Sequence, residues 1–288
     1  MQPTRSLTAH CTLSHHPAGQ PLLTVDNGYA KAQISLFGAH VLSYQRHDEP
    51  ASIWLSDKAV LDGSKPIRGG IPLCWPWFGP APARVGSGKP SHGFARTSLW
   101  TLDGVSDHGD GTLVHLSLRD NEATRQLWPH AFELELDVLV GKELALVLTT
   151  RNTGKAPLVY SGALHTYLQI SSPESVSVSG LGEPYADKLS GQNGQQQGPL
   201  TLNGPLDRVY WQPAAHVSIQ DGERETRVVS GNHDSMVVWT PWIEGATAMA
   251  DMSDDGYRTM LCVEAAIASE AGVTVAPDEE HSFSTVII

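Results

Sequence analysis

From Gly63 to Leu102 the chain carries no Asp or Glu, although it holds 31 of them in 288 residues and has a formal net charge of −12. Even spacing would put about four acids in that window. Lys65, Arg68, Arg84, Lys89 and Arg96 all fall inside it. One reading is a set of solvated loop charges; the other is a basic lining for a small anionic ligand. Elsewhere the acidic balance disfavours nucleic acid as a partner, because that affinity rests on neutralising phosphates with Lys and Arg.

Other absences narrow the class. There are three cysteines, Cys11, Cys74 and Cys262, odd in number and far apart, which argues against a disulfide framework and a CxxC metal site. No apolar run is long enough to span a bilayer, and "MQPTRSLTAHCTLSHHP" lacks the apolar core of a signal peptide. A cytoplasmic protein without a membrane partner is expected. "GDG", "GSG" and "GLG" form neither GxGxxG nor a P-loop, and no GxSxG elbow occurs. Among 13 histidines, the cluster in "HCTLSHHP" has irregular spacing and no matching carboxylate motif. No metal and no cofactor are expected.

What is present is a globular chain, 40% hydrophobic and 17% charged, rich in strand signals. "TLVHLSLRD", "AFELELDVLV" and "ELALVLTTRN" alternate apolar and polar residues, and the Gly-Lys between the last two reads as a hairpin. "DNGY" supplies an Asn-Gly turn, and "AHVSIQ", "TRVVSG", "MVVWTPW" and "TMLCVEA" continue the short-strand spacing. A short helix fits Asn121 to Trp128, and "LSGQNGQQQGPLTLNGPL" reads as an exposed loop or connection. Residues 1–288 are expected to form one all-β domain, a large antiparallel β-sandwich with a ligand on its concave face.

Four stretches are unlike ordinary strands and turns. "RGGIPLCWPWFGP", Arg68 to Pro80, cannot be a helix interior, since Pro fixes φ and Gly opens positive φ; it reads as a rigid loop whose Trp75, Trp77 and Phe78 line a sugar cleft or fill core. "SHGFAR" sets His92 and Arg96 four residues apart. "ALHTYL" puts His165 among apolar and aromatic residues, where a hydrogen-bonded core histidine is the plain alternative. "MADMSDDGYRTMLCVEAA" ends with Glu264 in an apolar strand, facing water on an edge or buried with a reason. A facing carboxylate and imidazole serve as base and acid in one step.

In this order, "RGGIPLCWPWFGP", "SHGFAR", "LHTYL", "LDRVY", "VVWTPW" and "DDGYRTMLCVEAA" resemble the aldose 1-epimerase superfamily, and within it the hexose-6-phosphate mutarotase branch. The resemblance implies a galactose-mutarotase type sandwich. It makes Glu264 the base that takes the anomeric proton and His165 the acid that protonates the ring oxygen. It places His92 near that oxygen and Asp207 on a sugar hydroxyl, and makes Arg68 a substrate-binding arginine. A sugar phosphate then accounts for the basic stretch, with Arg68 and Arg96 as first choices for the phosphate and Lys89 and Arg84 as further contacts. The alternatives are an epimerase of unphosphorylated aldoses and a non-catalytic carbohydrate-binding or sensor protein. The sequence sets no oligomeric state, and a monomer satisfies it.

Overall fold

In a computed structural model of the chain, residues 4–288 are described, and the first three residues of the amino-terminal stretch read above lie outside them. Alternating segments become strands. Phe132–Gly141 and Leu144–Asn152 form the anticipated hairpin, with Val140 opposite Leu144. Leu134, Leu136 and Val138 are buried, while Glu133, Glu135 and Asp137 point the other way, as a period of two requires. At the Asn-Gly turn, Asn27 Oδ1 accepts the N–H groups of Tyr29 and Ala30 at 2.9 and 3.0 Å. The short helix is Glu122–Leu127; Asn121 Oδ1 accepts the Thr124 N–H at 3.0 Å, a cap worth about 1 kcal/mol. A second helix, Trp242–Ala248, starts just after Pro241, where proline ends the strand pairing.

Two large sheets hold most of the strands. In the nine-stranded sheet, Leu144–Asn152 lies between Phe132–Gly141 and Glu280–Ile287; the eight-stranded sheet is centred on Ser235–Thr240 and Met260–Ile267. Their ladders are antiparallel. Leu134, Leu136 and Leu146 from one sheet and Val238, Leu261 and Val263 from the other share one core, each buried side chain contributing about 1.5–3 kcal/mol. The chain is thus an all-β sandwich. A five-stranded sheet formed between Arg5 and Arg46 packs into the same core through Leu23, Val25 and Ile34. The Gln- and Gly-rich stretch is more ordered than a plain loop: Gln192–Gln195 and Leu200–Thr201 form short strands, one at the outer edge of each large sheet.

The aromatic loop behaves differently from the expectation for two of its rings. Leu73–Cys74 pairs with Gly162–Leu164 at the edge of the eight-stranded sheet, and this turns Trp75 and Trp77 inward, both fully buried. Trp75 Nε1 donates to Thr150 Oγ1 at 3.0 Å, and its ring packs against Phe94, Trp128 and Phe132. Trp77 Nε1 donates to the Pro90 carbonyl at 2.9 Å. Neither lines a cleft, because ring area and N–H group are both satisfied in the core. "SHGFAR" docks directly on this loop. A Cβ on Gly93, which has φ +68°, would sit 1.9 Å from the Trp75 carbonyl oxygen, so only glycine permits the approach.

Candidate active site

Cross-strand register builds one wall of the site. Asp207 stands opposite Trp239, Trp239 opposite Cys262, and Cys262 opposite Tyr167 of Tyr167–Gln169. The next row on the same face holds Val209, Val237 and Glu264, since paired residues and their i±2 neighbours share a face. This face, the Arg68 and Phe78–Pro80 segments and "SHGFAR" enclose a cavity of about 450 Å³. Arg68, His92, Arg96, His165, Asp207 and Glu264 all line it.

Glu264 is only 1% exposed, and neither of its carboxylate oxygens has a hydrogen-bond partner. Burial pushes its carboxyl well above the ordinary range; the Lys188 charge opposes this, the Asp207 charge reinforces it, and Arg96 opposes it. His165 Nδ1 lies 3.4 Å from Glu264 Oε1, in ion-pair range without forming a hydrogen bond. Burial holds this imidazole well below 6.5, helped by His92 and by the Arg96 and Arg68 charges. Desolvation therefore favours a carboxylic acid beside a neutral imidazole, which carries the same single proton as a carboxylate beside an imidazolium. The pair is a one-proton couple whose two forms differ only in where that proton sits.

The ring of His165 is set by its neighbours. Its backbone N–H donates to the Pro72 carbonyl at 3.0 Å, and the ring stacks on Tyr167, centroids 5.0 Å apart and planes 13° apart. Tyr167 in turn accepts a hydrogen bond from Arg68 Nη1 at 3.1 Å, while Arg68 Nε donates to Asp251 Oδ1 at 3.2 Å. His92 has φ +63°, a conformation in which His is enriched but still uncommon. Its N–H donates to the Gly79 carbonyl at 2.7 Å, and the Gly79 N–H donates to His92 Nδ1 at 3.2 Å. With Nδ1 accepting, the ring proton belongs on Nε2. Burial first, then the Arg96 and Lys188 charges, lower this imidazole to about 3, so it is a neutral donor.

The remaining expected contacts divide. Phe78 lines the cavity, with Lys188 Nζ 4.3 Å above its ring centroid. Lys89 is half-buried and donates to the Gln126 carbonyl at 2.8 Å, outside the cavity, because its loop turns away toward the short helix. Arg84 lines a neighbouring hollow that shares only Phe78 and Pro80 with the first. Sequence reasoning missed Lys188, Tyr167, Trp239 and Asp251. Tyr167 was within reach, two residues beyond His165 in a strand-like segment. Lys188 and Asp251 enter through long-range register and loop packing, for which no local signal exists.

A buried carboxyl and an imidazole facing one polar cavity of a β-sandwich, with fixed donors around them, are equipped to take and give protons on a small polar ligand. The profile of the family described as aldose 1-epimerase matches residues 21–287. The chain belongs to this family of epimerases. It is 38% identical over 254 residues to a protein of Escherichia coli K12 provisionally named glucose-6-phosphate 1-epimerase, covering 86% of this chain and 84% of the other. A Salmonella typhimurium LT2 protein of the same provisional name is 37% identical over 255 residues, with 86% and 83% covered. The crystal structure of a provisionally named mutarotase from Salmonella typhimurium superimposes with a TM-score of 0.93 at 34% identity, covering 99% of this chain and 95% of that one. No helix among the described residues is long and apolar enough to cross a membrane.

Proposed function

We propose that the chain interconverts the α and β anomers of a hexose 6-phosphate, glucose 6-phosphate first among them, as one mutarotase domain working without cofactor. The observation that carries the reading is that the Glu264–His165 couple and the cationic groups of Arg68, Arg96 and Lys188 line the same cavity. Arg68 and Lys188 already face carboxylates, Asp251 at 3.2 Å and Asp207 at 3.9 Å, so Arg96 is the cation for which a neutral aldose offers no counter-charge. Arg96 Nη2 donates to a neutral partner, the Ser91 carbonyl, at 3.0 Å, which leaves its charge available to a phosphate. Names of the Escherichia coli and Salmonella relatives point to the same substrate.

In the mechanism, Glu264 as carboxylate takes the proton from the anomeric hydroxyl while His165 as imidazolium gives one to the ring oxygen. The C1–O5 bond breaks and the aldehyde forms. This leaves a carboxylic acid and a neutral imidazole, the arrangement that burial favours, so the pocket stabilises the open-chain state. Rotation about C1–C2 exposes the other carbonyl face, and reclosure returns both protons. Lys188 holds the Glu264 carboxyl down toward its charged form, and a bound phosphate favours the imidazolium. His92 Nε2–H donates near the ring oxygen, Asp207 accepts from a sugar hydroxyl, and Arg68 and Arg96 bind phosphate oxygens. Asp207 is itself raised by burial and lies 3.9 Å from Lys188 Nζ.

NMR exchange spectroscopy between the anomers tests this, with glucose 6-phosphate and glucose, on wild type, Glu264→Gln and Arg96→Met. Acceleration for the phosphate alone, lost in Glu264→Gln and with KM raised at least tenfold in Arg96→Met, supports the reading. Equal acceleration of both sugars, indifferent to Arg96, replaces it with an epimerase of neutral aldoses. Spontaneous rates throughout, with sugar still bound, leave a carbohydrate-binding protein.

A further inference from the structure

The strand that carries Glu264 brings a third donor beside the acid–base couple. Cys262 precedes Glu264 by two residues on Met260–Ile267, so thiol and carboxylate leave the strand on one face. Its cross-strand partner Tyr167 is the ring that stacks on His165. As a result, a ring nitrogen of His165, Cys262 Sγ and a Glu264 carboxylate oxygen all lie within 4.8 Å of one another. His165 Nδ1 and both Glu264 oxygens lack hydrogen-bond partners, and such orphaned buried acceptors are costly.

One cation would take up His165 Nδ1 and one Glu264 oxygen together with Cys262 Sγ. Nitrogen, thiolate sulfur and a single carboxylate oxygen suit a borderline-soft tetrahedral ion, whereas magnesium and calcium ask for oxygen ligands. With metal–ligand bonds of about 2.0–2.3 Å, tetrahedral donors stand roughly 3.5 Å apart. Closing from 4.8 Å therefore needs side-chain rotation and no change of fold. The fourth position would face the sugar cavity.

We propose that His165, Cys262 and Glu264 form an inhibitory site for a divalent cation of the zinc class. Binding releases two protons to solvent, the thiol proton of Cys262 and the one carried by the Glu264–His165 couple, and removes both members of the couple from proton transfer. Ion and sugar then exclude each other. Inhibition rests on the acid–base reading above, but coordination itself does not.

The test is a Co²⁺ titration of the full chain, comparing wild type, Cys262→Ala and Cys262→Ser, with Zn²⁺ as competitor. The expected result is a near-ultraviolet sulfur-to-cobalt charge-transfer band in wild type that Zn²⁺ abolishes and both variants lack. Exposed histidines that bind Co²⁺ give no such band. In parallel, Zn²⁺ slows anomer exchange, and Cys262→Ala, scored against its own metal-free rate, needs at least tenfold more Zn²⁺. No band in wild type, a band that survives in Cys262→Ala, or equal zinc sensitivity in both overturns the proposal. Absence of any catalysed exchange would sink the epimerase reading instead, with the cobalt band still deciding coordination.

Discussion

Two strands of this sandwich each carry glutamate, and they treat it in opposite ways. In Phe132–Gly141, acids alternate with leucines and valines, so Glu133 and Glu135 leave the core; Glu133 Oε1 accepts from Arg119 Nε at 2.8 Å. In Met260–Ile267 every residue is buried, and Glu264 lies there without a hydrogen-bond partner. The first strand covers the core with one face and meets water with the other. The second is covered on both faces, so its one carboxyl carries a desolvation cost that stability alone does not explain. That unpartnered carboxyl on a cavity wall is the feature on which the proposed role of Glu264 as base rests.

The sharpest way to break this comparison is Glu264→Gln. We expect catalysed exchange to fall by about 10²–10⁴-fold, the usual share of a positioned general base. The same change relieves a buried carboxyl, so thermal melting at neutral pH should occur at an equal or higher Tm. A Tm well below wild type with activity retained would make Glu264 a structural residue.

Next in size is Lys188→Met. Lys188 lowers the Glu264 pKa, so its loss drives the carboxyl further up. The competent enzyme holds one proton on the Glu264–His165 couple. It is lost at low pH when a second proton arrives and at high pH when the last one leaves. Because His165 is held well below 6.5 and Glu264 well above 4.5, the acid limb follows the lowered imidazole and the alkaline limb the raised carboxyl. In Lys188→Met the alkaline limb of kcat/KM should move to higher pH, with a several-fold loss of rate. An alkaline limb that stays in place would remove Lys188 from the electrostatics of the couple.

How much of this was legible follows from the same physics. Strands of the nine-stranded sheet could be read from alternation, and the Asn27–Gly28 turn from its turn chemistry, because those signals are local. Glu264 stood out as a charge in an apolar run. For Trp75 and Trp77 cleft and core both stayed open, because composition tells that rings are present but not which way a loop turns them; the pairing of Leu73–Cys74 with Gly162–Leu164 decides for the core. Lys188 stayed hidden because it joins Asp207 only through the pairing of Pro184–Asp187 with Leu206–Trp211, a relation no spacing encodes.

Glu135→Gln should have the smallest effect and sharpens the contrast most cleanly. Burial first, then repulsion from Glu133, Asp137 and Glu280, raises the Glu135 pKa. Since the folded value exceeds the unfolded one, stability from this group is fully present below about pH 4.5 and is lost as pH rises through the folded pKa. The glutamine variant should therefore melt slightly above wild type at neutral pH and converge with it in acid. Anomer exchange should not change. Both glutamates thus share the sign of the pKa shift and the response of Tm to amidation, while only the one in the doubly covered strand carries the rate. If Glu135→Gln slowed exchange as well, burial would no longer separate the two strands, and the case for Glu264 as base would rest on the cavity alone.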